Sequence, residues 1–207
     1  MKILVELKRL AIHLEKKQNS IFNYPCDKQK AYLKSLPEPK DDVERSFLQY
    51  KCQMKMKGLF TCTVLQLASL PLLVYFYFRK SDVMERCKAE AVAMSTIGEK
   101  LVPKQIKEKY ESWEYIKEQK QSFDLKSKAY FGNLVRSHPL SWHFLLKCLI
   151  KIRQYNYVVR TYKPKIIVTA NEYSFTSSVM TDYCGYNDVK HINAMHGEKL
   201  FFYPGSL

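Results

Sequence analysis

Apolar positions recur along the chain with changing period, and the changes divide it into segments. In residues 1–18, Ile3, Leu4, Leu7, Leu10, Ala11 and Leu14 fall at helical spacing with charged residues off the stripe, which predicts an amphipathic helix. Its basic flank suits either an anionic membrane surface or docking on the chain's own domain. Residues 19–40, with Pro25, Pro37 and Pro39, read as a connector. Residues 41–57 read as a polar helix capped by Asp41 or Asp42.

Residues 58–78 contain no charge and are flanked by Lys55 and Lys57 before and by Arg79 and Lys80 after. About 20 apolar residues suffice to cross a bilayer. Thr61, Thr63, Gln66, Ser69 and Pro71 moderate the run, and basic residues at both ends leave orientation open. The pattern favours a buried or membrane-dipping helix, broken near Pro71, over a spanning one.

After Arg79 the pattern becomes that of an α/β fold. Ala91 to Met94 reads as a buried strand, Ile97-Gly98 as a turn, and residues 103–121 as a helix opened by Pro103, with Ile106, Tyr110, Trp113 and Ile116 or Lys117 on one face. Residues 122–139 are ambiguous and close at His138-Pro139, where His138 reads as a turn residue. The clearest helix covers residues 141–162, with Trp142, Leu145, Leu149, Ile152, Tyr155 and Val159 on one face and Lys147, Lys151, Gln154 and Arg160 largely off it. Lys163-Pro164 ends it.

The β-branched run Ile166-Ile167-Val168-Thr169 predicts a parallel strand buried on both faces. A helix follows from Ser174, a cap candidate, through the first turn Thr176-Ser177-Ser178 and stops at Gly185. A second strand, Lys190 to Met195, leads into His196-Gly197-Glu198. Strand, helix, strand in this order is the doubly wound α/β pattern, in which ligands gather at the carboxyl ends of the strands. The expected organisation is a helical region over residues 1–80 and a Rossmann-like domain with a parallel sheet over residues 81–207.

Composition narrows the picture. With 46% hydrophobic and 14% aromatic residues and only 6 Gly and 8 Pro in 207 residues, the chain is neither disordered nor fibrous. The net charge of +14 suits an anionic partner. Nucleic acid is disfavoured, because no helix-turn-helix, RNA-recognition or zinc pattern is present. Six scattered cysteines form neither a CxxC pair nor a metal-ligand spacing, so reduced thiols and no metal are expected. No continuous apolar run of the signal-peptide kind occurs in residues 1–18, so a cytoplasmic chain is expected.

The candidate chemistry lies at the predicted sheet edge. If the two strands are neighbours, Glu172 and His196 share a rim, where a carboxylate or imidazole can take a proton from a hydroxyl nucleophile. The helix N-terminus beside them, with Ser174, Thr176 and Ser177, offers N–H groups to a phosphate. Gly197 allows close backbone approach, and Glu198 follows it. Glu172 also reads as a cap of the next helix, and His191, on the strand, reads as a structural histidine.

The stretches 163–174 and 191–200 together resemble bacterial surface or capsular polysaccharide glycosyltransferases of GT-B type. More distantly, they resemble the His-Gly loop of the polyol-phosphate transferases that build teichoic acids. The similarity is good over residues 160–200, weak over 80–120 and absent before that. It implies the acceptor-side domain of an enzyme that moves a sugar or polyol phosphate from a nucleotide-activated donor to a lipid-linked glycan acceptor. His196 would be the catalytic base, Glu172 would assist, and Gly197, Glu198, Ser174, Thr176 and Ser177 would contact substrate.

Such enzymes hold the donor in a second domain, and nine residues follow Glu198. The expectation is therefore a truncated or split transferase, inactive without a donor-binding partner and peripheral at the inner face of the plasma membrane. No resident cofactor is implied. A non-catalytic membrane-surface binding or scaffold protein is the alternative.

Overall fold

The computed structural model describes residues 34–57, 59–82, 87–94, 102–116, 120–170 and 174–194, together with Glu6 and Ala31. The helix expected in residues 1–18 lies outside the described residues, as does most of the connector. Ten elements follow: α1 (Asp42–Lys57), α2 (Leu59–Phe78), β1 (Ala91–Ala93), α3 (Lys104–Lys107), β2 (Trp113–Tyr115), α4 (Leu125–Ser137), α5 (Trp142–Tyr162), β3 (Ile166–Ala170), α6 (Thr176–Tyr186) and β4 (Lys190–Ala194). The chain is thus an α/β protein, with a four-stranded parallel sheet and six helices among the described residues.

The strands are ordered β2-β1-β3-β4, all parallel. Among the described residues one strand stands outside β1, as in flavodoxin-like sheets, whereas a dinucleotide-binding half carries two. Alternation along the strands separates two cores. Val92 and Ile167 face a large core that includes Tyr50, Phe144, Tyr155 and Met180. Ala91, Ile166 and Val168 face a smaller one with Val102, onto which Ile106 and Tyr110 pack. The β1–β2 connection therefore covers one face while α5 and α6 cover the other. Right-handed crossovers require this when β1 to β2 and β3 to β4 run in opposite directions across a sheet.

Several expectations change here. Of the helix expected over residues 103–121, residues 103–116 instead form one helical turn and then a strand. Ile106, Tyr110 and Trp113 do pack onto one cluster, which is why their spacing imitates a helix face. Trp113 instead pairs in register with Ala91, and its indole N–H donates to the Lys107 carbonyl. The ambiguous segment forms α4, capped by Asp124, whose carboxylate accepts from the Ser127 backbone N–H. His138 is the C-cap of α4 and stacks on Phe47. Asp41 caps α1 by accepting from the Glu44 N–H. Gly185 lies inside α6, which ends past it at Asn187, and the left-handed residue is Asp188, with φ 58°. Asp, whose short side chain bonds locally, tolerates that region better than most residues.

The helices of residues 42–78 share the large core with the α/β elements. Tyr50 and Met54 of α1 lie in it with Val92 and Ile167. α5 is buried almost all round, including Gln154, which its polarity placed off the core face, and Arg153 and Asn156. Arg153 and Asn156 find partners, as burial demands, whereas the buried Thr161 hydroxyl has no hydrogen-bond partner among the described residues. Asn156 donates to Ser122 Oγ and accepts from the Tyr183 hydroxyl. Arg153, 0% exposed, donates to the carbonyls of Phe76 and Lys80 at 3.0 and 3.1 Å and to Gln121 Oε1 at 3.2 Å. It thereby holds the C-terminal end of α2, whose last carbonyls lack helical donors.

α2 continues through Pro71 without the expected break. The ring stands on the exposed side of the helix, and inward contacts fix the chain before and after it. Removing the clamp is costly. Arg153→Met should lower stability by about 2–4 kcal/mol, because charge-assisted bonds are lost and buried carbonyls are left unpaired; urea denaturation measures this.

A pH dependence follows from Asp124, which also pairs with Arg160 of α5. Burial pushes its pKa up, but the Ser127 bonds and the Arg160 charge outweigh that and hold it below the ordinary value. A depressed carboxylate contributes stability above its unfolded pKa of about 3.9 and loses it as pH falls through the folded value. Asp124→Asn should therefore be less stable than wild type at pH 7, with the gap closing in acid denaturation below about pH 4.

Candidate functional site

The carboxyl edge of a parallel sheet is set by where its strands stop. β3 and β4 pair to their last residues, Ala170 opposite Ala194. The chain therefore leaves both strands side by side, and Glu172 and His196 each follow two residues later in sequence. Residues 171–173 and 195–207 lie outside the described residues, and with them Glu172, His196, Gly197 and Glu198. What the structure fixes is the adjacency of the two exits.

The strand order adds a feature that local sequence could not reveal. β1 connects outward to β2 on one side, and β3 continues outward to β4 on the other. Connections that diverge over opposite faces leave a crevice at the carboxyl ends of the two central strands. Here that crevice lies between β1 and β3, so the exit toward Glu172 borders it and the exit toward His196 is one strand further out. The segment of residues 95–101, in which the sequence predicts a turn at Ile97-Gly98, follows β1 in the chain. It too lies outside the described residues.

Beneath the edge, polar side chains tie β3, β4 and α6 together. Asn193 of β4 donates to Ser177 Oγ on the first turn of α6 at 3.2 Å. The Thr169 hydroxyl lies 3.5 Å from Asn193 Oδ1 and 3.2 Å from His191 Nε2. His191 also meets the Tyr155 hydroxyl at 3.1 Å through Nε2 and the Thr181 hydroxyl at 2.9 Å through Nδ1. Both ring nitrogens are engaged within the fold, as the structural reading of His191 expects. Local sequence does not mark Asn193 and Thr169 as site residues. Their period-2 spacing from His191 and Ile167 was the available signal.

The α6 N-terminus differs from its sequence reading. Phe175, not Ser174, is the N-cap, and no side chain of that residue closes it. The Thr176 N–H donates to Ser174 Oγ at 3.3 Å, the Ser177 N–H to the Ser174 carbonyl at 3.0 Å, and the Val179 N–H to Ser46 Oγ at 2.9 Å. Three of the first four amides are thus engaged by the protein, and the free N–H groups expected for a phosphate are largely taken. Ser174 and Thr176 also bond to each other through their hydroxyls, at 2.9 Å, and Thr176 is buried. Of the three, Ser177 is the one turned to the strand edge, through Asn193.

Burial shapes the remaining ionisable groups. The Tyr50 hydroxyl is pushed up to about 12 by burial and then by the nearby Cys62 thiol. Burial raises the Tyr130 hydroxyl, and its hydrogen bond to Asp182 adds to this. The Cys148 thiol is raised by burial alone. These shifts mark protonated, inert core groups, the opposite of an activated nucleophile. Among the described residues no three His, Cys, Asp or Glu side chains converge as a metal site would require.

No protein-family model, curated protein or solved structure matches the chain. Local chemistry at α6 is therefore the testable part of this edge. Ser46→Ala should remove the bond to the Val179 amide, lower stability by about 1–2 kcal/mol, and speed hydrogen exchange at the first turn of α6.

Proposed function

We propose that this chain is the acceptor-side α/β unit of a transferase of bacterial surface-polysaccharide synthesis. It would move a sugar or polyol phosphate from a nucleotide-activated donor to a lipid-linked glycan at the inner face of the membrane. The observation that supports this reading best is the parallel pairing of β3 and β4 to a common end, which brings the exits toward Glu172 and His196 together. A base and a second carboxylate on neighbouring strand ends suit activation of an acceptor hydroxyl.

In this reading His196 takes the proton from the acceptor hydroxyl as it attacks the donor, and Glu172 orients the hydroxyl or the imidazole. Gly197 and Glu198 line the acceptor. Ser177, held by Asn193, is the residue of the α6 first turn nearest that role. The Rossmann-like, GT-B assignment belongs to this proposal, and the nucleotide donor is held by a separate domain or partner. The chain is then inactive by itself. A non-catalytic membrane-surface binding or scaffold role is the second reading, favoured by the exposed apolar side of α2.

Saturation-transfer NMR with short teichoic-acid and capsular oligosaccharides, and separately with nucleotide sugars, distinguishes the two. The transferase reading expects glycan binding here and no nucleotide-sugar binding. With a donor-binding partner supplied, His196→Ala should lower transfer by about 100-fold or more without changing the fold. Unchanged transfer, or the absence of glycan binding, would overturn the reading.

A further inference from the structure

The most apolar helix of the chain turns Gln66 and Ser69 inward beside Leu65, Leu73 and Phe76, and leaves a second apolar side outward. By length and composition, Phe60–Phe78 is long and apolar enough to cross a membrane. Among the described side chains of α2, the only buried one is Ser69, 3% exposed. Its hydroxyl lies 3.0 Å from His143 Nδ1. On the same side Gln66 donates to the Tyr50 hydroxyl at 2.9 Å and accepts from the His143 backbone N–H at 2.9 Å. Phe60, Val64, Leu67, Val74, Tyr75 and Phe78 are between 42% and 77% exposed. They follow helical spacing along one side about 30 Å long. Isolated exposed apolar residues are ordinary, but a continuous stripe of this length marks an interaction surface.

We propose that this outward side of α2 is a monotopic membrane-docking surface that lies in the plane of an anionic phospholipid interface and does not cross it. The inward bonds exclude crossing in this fold. To span, α2 would have to leave Tyr50 and His143 and strip the buried Arg153 of its two carbonyl acceptors. Pro71 points the same way. It removes the helical donor for the Leu67 carbonyl, a loss that water and headgroups repair at an interface but not in hydrocarbon.

Charge selects lipid over a second copy of the chain. The outward stripe itself carries no charge, yet exposed Arg79 and Lys80 follow its end and exposed Lys147 lies on α5 between the two residues that hold α2. Basic residues flanking an apolar stripe match an anionic bilayer surface. Pairing two such surfaces would bring together chains of net charge +14 each. The inference stands on α2 alone and is independent of the transferase reading, so loss of vesicle binding and loss of glycan binding are separate failures.

Flotation of the full chain with vesicles of phosphatidylcholine, with and without 30% phosphatidylglycerol (about a third of the lipid, a common anionic fraction), tests this. Binding is expected on the anionic vesicles and should weaken as salt is raised. L67D/V74D, both at exposed positions, should cut partitioning by about 30-fold or more while circular dichroism and Tm show the fold retained. Three outcomes would each overturn the proposal. One is no flotation of wild type, and another is flotation that L67D/V74D leaves unchanged. The third is wild type that sediments as a dimer, becomes monomeric in L67D/V74D and ignores vesicles, which assigns the stripe to a second copy.

Discussion

A guanidinium withdrawn from water must be given acceptors, and the arrangement of Arg153 meets that demand with neutral oxygens. Its three nitrogens engage the end of α2, the carbonyl of Lys80 just past it, and Gln121 in the segment before α4. Burial, and then the nearby Arg79, hold its pKa below the usual arginine value. Buried charge is tolerated only when hydrogen bonds replace hydration. The consequence is that α2, α5 and the approach to α4 are fixed relative to one another by one side chain. The packing of α5 on the sheet then carries that arrangement to β1 and β3.

The orientation of α2 follows. Once its C-terminal carbonyls point at Arg153 and its middle at His143, the rotation of the helix is determined. Ser69 and Gln66 lie inside with Leu65, Leu73, Phe76 and Tyr77, while Phe60, Val64, Leu67, Val74, Tyr75 and Phe78 lie outside. The same domain then presents a helix with an exposed apolar side on its flank and a strand edge with neighbouring exits.

Hydrogen bonds that join residues distant in sequence explain the revised view of the strand edge. Ser46 of α1 reaches the Val179 amide of α6, so a helix start that looks open locally is closed by an element 133 positions earlier. Asn193 reaches Ser177 across the β4–α6 contact. What remains for chemistry is the rim above these bonds, where the connections after β1, β3 and β4 depart.

Elements whose residues carry their own physical reason were legible in the sequence. β3 is a β-branched run that only a doubly covered strand satisfies, α5 keeps helical period for 21 residues, and Asp41 caps α1 through an amide three residues away. The sequence likewise determined the uncharged length of residues 58–78 and that Glu172 and His196 follow the two strands closely. Tertiary structure decided the rest, because the deciding partners lie far along the chain. Trp113 became a strand residue by pairing with Ala91, and Pro71 stayed helical because His143 and Arg153 hold both sides of it. Strand order depends on crossovers that no local period encodes, and it moved the crevice to β1 and β3. The rotation of α2 depends on which of its sides finds hydrogen-bond partners, and only the folded neighbours supply them.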